Sequence, residues 1–337
     1  MGFGIKTRLK IFLEEEVFSY FGPKMIRINP IGFACTNACP MCWRLMEKIS
    51  DKGGMRKSEL KYEKYKQILD ELPFTVSKVE IVGGGEPLLF PRICELIREV
   101  KEKKLFGSLI TNGVVMNKKI ASSLIDKKWN LVRISINSGT KEVYSVVNGA
   151  NYFDKVVQNI ETLIKNRGID NFPKIGLHFV LQKTNYFDLS NFLNLAETLK
   201  VDFINLDTLI HDSKKELLLS NKEIKIVIKN LEKLKQTFTL ENNINEAISK
   251  LKTSGLIRNK NYFSNKYCQI VQSSIDVDSE GNVVPCCMAY GEKISKKIAN
   301  SSVSKIWKSN WFFRRKLKQG KFEAFCYKKC NYSLNER

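Results

Sequence analysis

Histidine is almost absent from this chain: there are two in 337 residues, His178 and His211, and neither is close in sequence to the densest cysteine group. Acidic residues are also scarce, 35 against 56 lysines and arginines, which leaves a net charge of +21. A basic surface draws phosphorylated sugars, nucleotides or nucleic acid. No RNA-binding motif with interleaved aromatics is present, however, and abundant lysine, asparagine and isoleucine make part of the charge a composition bias. No apolar run approaches the ~18 residues of a membrane span, and the N-terminus lacks a signal peptide's apolar core. These absences predict a cytoplasmic chain. There, nine cysteines grouped in metal-like spacings argue against a disulfide framework.

A further absence is the most informative. Cys35-Thr-Asn-Ala-Cys39-Pro-Met-Cys42 places three thiols in eight residues, and the next cysteine is Cys94. Structural zinc is closed by four N or S ligands, and an ordinary iron–sulfur cube by four cysteines. A cluster held by three thiolates keeps one iron open to something that is not protein. The spacing resembles the Cys-x3-Cys-x2-Cys signature of the radical S-adenosylmethionine (SAM) enzymes, with Met41 where many members carry an aromatic residue. The resemblance implies a [4Fe–4S] cluster on Cys35, Cys39 and Cys42 whose fourth iron is chelated by SAM. It further implies reductive cleavage of SAM to a 5′-deoxyadenosyl radical, and an electron donor such as flavodoxin or ferredoxin.

The β-branched run Val79-Glu80-Ile81-Val82 reads as a strand, and Gly83-Gly84-Gly85-Glu86-Pro87 follows it. Consecutive glycines let backbone approach a ligand, and a carboxylate can accept from an ammonium. By resemblance, Gly84, Gly85 and Glu86 hold the methionyl amine of SAM. Met25–Ile31 reads as the first strand, and further strands are expected at Gly107–Asn112, Leu131–Asn137, Ile175–Gln182 and Val201–Asp207. Amphipathic helices Arg92–Lys103, Lys118–Lys127 and Asp154–Arg167 lie between them. This alternation predicts an α/β fold with a parallel sheet. The family's fold would make it a partial (β/α)6 TIM-like barrel with the cysteine loop at a strand's C-terminal end. Period-2 alternation turns Arg133, Ser135, Asn137, His178, Gln182, Asn205 and Asp207 inward. The resemblance sets Ser135 and Asn137 against the SAM ribose, and His178 on the same polar wall is either a cofactor contact or structural.

Residues 1–24 are expected to form an amphipathic helix (Ile5–Phe21) that packs on the barrel of residues 25–210. Residues 211–265 read as a helical connection, with a capping box at Ser220 and Glu223 and a second helix near Asn243–Lys252. Residues 266–337 read as a small cysteine-rich α+β domain. Its strands Ser274–Val277 and Asn282–Val284 flank the turn Asp278-Ser279-Glu280-Gly281. Cys268 and Cys286 end that hairpin, and Cys326 and Cys330 add a second pair, four ligands for a zinc knuckle or a cluster. Cys268, Gly281 and Cys286 resemble the SPASM and twitch extensions of the radical SAM family. Leu317 and Gly320 stand where a full set has more cysteines, so one auxiliary [4Fe–4S] cluster is implied. Cys94 reads as an inert helical thiol. Cys287 either packs, replaces Cys286, or serves as hydrogen donor to a substrate radical.

Only 24 residues precede the first strand, where peptide-modifying family members often carry a winged-helix leader-peptide domain. The expected substrate is therefore a small, anionic molecule such as an amino or nucleotide-linked sugar, oxidised at carbon. The alternatives are a short-peptide maturase, acting by epimerisation, cross-linking or oxidation, and a non-enzymatic iron–sulfur or zinc protein that binds nucleic acid.

Overall fold

The computed structural model describes residues 20–42, 60–209, 212–254, 266–286, 289, 296–298, 301–329 and 335–336. Six parallel strands, each hydrogen-bonded to the next, form the barrel wall: β1 (Met25–Ile28), β2 (Lys78–Ile81), β3 (Phe106–Thr111), β4 (Leu131–Ser135), β5 (Lys174–Leu181) and β6 (Phe203–Thr208). Helices α1 (Tyr62–Asp70), α2 (Ile93–Glu102), α3 (Lys118–Asp126), α4 (Lys141–Asn148), α5 (Phe153–Asn166) and α6 (Leu189–Leu199) lie between them in chain order. The expected alternation is present. Ile26, Ile28, Val79, Ile81, Val132, Ile134, Ile175, Leu177, Phe179, Ile204 and Leu206 are buried in one continuous core with the helices. Each such side chain contributes roughly 1.5–3 kcal/mol when fully buried. The intervening positions Arg27, Glu80, Arg133, Ser135, His178, Asn205 and Asp207 form the polar lumen face.

Two helices follow the barrel, α7 (Asn221–Leu234), opened by the expected capping box, and α8 (Ile244–Ser254). The chain between them closes the free edge of β6. Ile204 N–H donates to the Glu241 carbonyl (2.9 Å), and the Asn243 amide bonds both the N–H and the carbonyl of Leu206 (2.7 and 2.9 Å). An open strand edge is thereby protected from pairing with another chain.

The C-terminal region holds β7 (Lys266–Tyr267), α9 (Ile270–Ser273), β8 (Ser274–Val277), β9 (Asn282–Val284), β10 (Lys296–Lys297), α10 (Val303–Ser309), α11 (Trp311–Lys318), α12 (Ala324–Lys329) and β11 (Asn335–Glu336). The β8–β9 hairpin forms as expected, with Asp278 Oδ1 accepting from the N–H groups of Glu280 and Asn282. No partner strand for this hairpin was expected from the sequence. β8 pairs parallel with β1, Arg27 opposite Asp276, so the sheet runs β10-β9-β8-β1-β2-β3-β4-β5-β6 without a break. The expected N-terminal helix falls mostly on residues 1–19, outside the described residues. Among the described residues, no helix is long and apolar enough to cross a membrane.

Candidate functional site

The loops that leave the C-terminal ends of β1, β2, β3 and β4 converge. The glycine loop after β2 is stitched to the cysteine loop after β1: Gly85 N–H donates to the Ile31 carbonyl (3.0 Å) and Glu86 N–H to the Ala34 carbonyl (2.8 Å). Gly85 is required here, because a Cβ on it would stand 2.2 Å from the Ala34 carbonyl oxygen.

Glu86 is buried and its carboxylate is mostly occupied by the chain. Oε1 accepts from Leu88 N–H (3.0 Å) and Thr111 Oγ1 (2.5 Å), and Oε2 from Asn112 N–H (2.8 Å). A carboxylate has about four lone-pair positions, so one on Oε2 remains for an ammonium. Burial pushes its pKa above the ordinary value despite the hydrogen bonds from Asn112, Thr111 and Leu88 that oppose it.

A cage of amides surrounds the thiols. Asn112 donates through Nδ2 to Cys35 Sγ (3.5 Å) and Thr36 Oγ1 (2.9 Å), and Asn37 N–H also points at Cys35 Sγ (3.5 Å). From α4, Tyr144 Oη accepts from Asn37 Nδ2 (3.3 Å), and Asn148 Oδ1 lies 3.7 Å from Cys39 Sγ. Gly149 ends α4 at φ 58°, and a Cβ there would come within 2.4 Å of the Ala38 carbonyl oxygen. Burial first, then the neighbouring Cys39 and Cys35 thiols and Glu86, pushes the Tyr144 phenol up to about 12. It stays a neutral hydroxyl. Tyr144, Asn37, Asn112 and Asn148 escaped the reading of the sequence, although Thr111-Asn112-Gly113 at the end of an expected strand was a visible signal.

The pair implied for a ribose separates. Ser135 lies half-buried on the lumen face beside His178. Asn137 instead takes a left-handed conformation (φ 58°) that ends β4 two residues early. Its Oδ1 accepts from Val180 N–H (3.0 Å) and its Nδ2 donates to Asn148 Oδ1 (3.2 Å), so both ends of the amide bind the chain. His178 is anchored too: Nε2 lies 3.2 Å from Asp207 Oδ2, and Lys250 from α8 reaches Asp207 Oδ1 (2.9 Å). Burial lowers the His178 pKa more than Asp207 raises it, and Nε2 faces the carboxylate. Burial alone would raise Asp207, but His178 and Lys250 hold it well below the usual carboxylate range. These contacts favour the structural reading of His178.

At the C-terminal site, Cys268, Cys286 and Cys326 are buried in one cluster with Val271 and Leu317, packed by Phe313, Phe322, Phe325 and Tyr327. Leu317 is buried among these thiols. Cys330 and Cys287 lie outside the described residues. The donor types suit iron–sulfur clusters: soft thiols, with two N–H donors on Cys35 at the mouth, and aromatic rings packed around the C-terminal set.

Residues 29–196 match the family model described as the radical SAM superfamily, and residues 268–331 match SPASM, an iron–sulfur cluster-binding domain. The mycofactocin maturase MftC of Mycobacterium tuberculosis is 28% identical over 166 residues, 49% of this chain and 40% of that protein. The chain thus aligns with less than half the length of this curated relative. Among solved structures, Streptococcus suis SuiB bound to precursor peptide SuiA superposes with a TM-score of 0.66 at 15% identity, over 90% of this chain and 68% of that one. Native anSMEcpe, with bound AdoMet and the Kp18Cys peptide, gives 0.62 at 20% identity, over 91% of this chain and 86% of that one. At these identities the two structures share the fold.

Proposed function

The chain belongs to the radical SAM superfamily and carries a SPASM iron–sulfur domain, and from that premise we propose that it is an enzyme that modifies a short peptide at carbon. The observation that carries the catalytic part is the three-thiol loop bonded directly to the Gly-Gly-Glu-Pro loop at the C-terminal mouth of the barrel. Its [4Fe–4S] cluster and SAM, when bound, supply a 5′-deoxyadenosyl radical that takes hydrogen from substrate. Cys35, Cys39 and Cys42 would hold that cluster. Gly84, Gly85 and the remaining Oε2 position of Glu86 would receive the methionyl amine. Ser135 stands where a ribose hydroxyl could be met. His178, fixed by Asp207, lines the wall. Cys268, Cys286 and Cys326, with Cys330, would hold one auxiliary cluster, which could accept the electron that a substrate radical loses as it is oxidised. The peptide class is supported by the maturase relative and by two proteins of the same fold solved with peptides. The small-sugar expectation finds no such support and gives way to its peptide alternative.

Glu86→Gln tests the SAM contact. The substitution removes a charge-assisted hydrogen bond worth roughly 1.5–3 kcal/mol, so SAM affinity should fall about ten- to a hundredfold, while iron content stays at the native level. Equal SAM affinity would reduce residues 83–87 to a turn. The peptide reading is tested by co-expression with a short peptide encoded beside this gene. The recovered peptide should lose a pair of hydrogens, as oxidation or cross-linking requires. Solvent deuterium at the modified carbon, lost in Cys287→Ser, would establish epimerisation with Cys287 as donor. An unmodified peptide, together with turnover of a nucleotide-linked sugar, would return the assignment to small substrates.

A further inference from the structure

We propose that Asn112 is a positioning residue that tunes the cluster held by Cys35 and ties that cluster's loop to the loop of Glu86. The inference rests on the radical SAM reading above and concerns a residue that neither the cysteine signature nor the Gly-Gly-Glu-Pro motif includes.

Asn112 sits one residue past the end of β3, at the point where the β1 and β2 loops meet. It is 8% exposed. Every polar group assigned to it is directed. Its backbone N–H donates to Glu86 Oε2 at 2.8 Å. Its side-chain Oδ1 accepts from Val114 N–H at 3.0 Å, closing an Asx turn. That acceptor role decides the orientation of the amide, because the opposite flip would set an NH2 group against the Val114 N–H. The NH2 end must therefore face the cysteine loop, where Nδ2 stands 3.5 Å from Cys35 Sγ and 2.9 Å from Thr36 Oγ1. One residue thus bonds the carboxylate expected to meet SAM and a thiol expected to hold the cluster, with the backbone doing the first and the side chain the second.

The chemical consequence follows from charge. Reduction adds an electron to a cluster whose thiolates already carry negative charge. An N–H dipole aimed at a ligating sulfur stabilises the reduced state and raises the reduction potential. Asn112 itself is buried, which strengthens the effect. The side chain and the backbone are separable by mutation. Asn112→Ser keeps an oxygen near Val114 N–H and keeps the backbone bond to Glu86, but it is too short to reach Cys35. Asn112→Asp keeps the shape and the Val114 bond, but replaces the donor with a negative oxygen facing sulfur.

The test is an electron paramagnetic resonance redox titration of the full chain, reconstituted anaerobically, following the reduced-cluster signal that changes when SAM is added. Relative to native protein, the midpoint of that signal should move to more negative potential in Asn112→Ser and further in Asn112→Asp. The signal insensitive to SAM, from the auxiliary cluster, should not move. SAM affinity of Asn112→Ser should hold near native, because Glu86 keeps its backbone donor. Failure of Asn112→Asp to retain the SAM-sensitive cluster while Asn112→Ser retains it would also support the inference, as the extreme of the same repulsion. An unshifted midpoint in Asn112→Ser overturns it. So does a shift of both signals together, which would mark general disruption. Absence of any SAM-sensitive signal in native protein would overturn the underlying radical SAM reading itself, a result distinct from an unshifted midpoint.

Discussion

Replacing Cys35, Cys39 and Cys42 together by alanine should remove half of the iron and all SAM cleavage. Native protein reconstituted without oxygen should hold about eight irons, from two cubane clusters, and the triple variant about four. The reason lies in how separately the two sites are built. Cys268, Cys286 and Cys326 pack against Val271 and Leu317 in their own apolar pocket. The mouth thiols depend on loops after β1 to β4. Loss of one donor set leaves the other intact. A single zinc at the C-terminal site would instead give about four irons in native protein and nearly none in the variant.

The second large effect is expected far from any thiol, at Arg27→Met. Arg27 on β1 lies between two carboxylates: Nε is 3.0 Å from Glu80 on β2, and a terminal nitrogen is 3.3 Å from Asp276 on β8. Ser108 adds a hydroxyl to Glu80 (3.3 Å). Burial pushes Asp276 up to about 6, more than Arg27 can offset. Burial also acts on Glu80, but Lys78, Arg27 and Arg133 outweigh it and hold the group below its ordinary value. Removing one partner of a buried ion pair costs about 3–5 kcal/mol, because an uncompensated charge remains. A methionine in place of Arg27 would strip the guanidinium from both carboxylates at once. The sign of the pH dependence is set by Asp276. A carboxyl raised in the fold stabilises it at low pH and loses that contribution as pH rises through about 6. The melting temperature of Arg27→Met should therefore fall more at pH 8 than at pH 5, where protonation relieves Asp276. Equal losses at both values would mean that Arg27 contributes by packing alone.

This charged seam also marks where sequence reading reached its limit. The cysteine triplet, the glycine loop and the β4 to β6 alternation were legible because each is local: a spacing, a turn composition, a period of two. The hairpin at residues 274–284 was legible for the same reason. Its attachment to β1 was not, since Arg27 and Asp276 are 249 positions apart and no local pattern encodes which strand edge a hairpin joins. Asn137 shows a different limit. Alternation extends β4 to Asn137 and turns it inward, but β4 ends at Ser135, and a left-handed backbone at φ 58° sends its amide to Val180 and Asn148. Asparagine tolerates that conformation better than most residues, a cue that alternation ignores. The amides of Asn37, Asn112 and Asn148 come from two separate loops and the end of α4, so only the folded chain brings them to the thiols. Cys287 and Cys330 stay as sequence expectations, outside the described residues.

The central claim is that three thiols and a Gly-Gly-Glu-Pro loop, joined at the mouth of a parallel barrel, make a SAM-cleaving centre. Its most direct test needs no substrate. Anaerobically reconstituted native protein is incubated with SAM and dithionite, and 5′-deoxyadenosine is measured by liquid chromatography. The expected result is steady release of 5′-deoxyadenosine with methionine in equal amount, none without reductant, and none from the triple alanine variant. Native protein that holds its full iron, binds SAM and still releases no 5′-deoxyadenosine would contradict the claim.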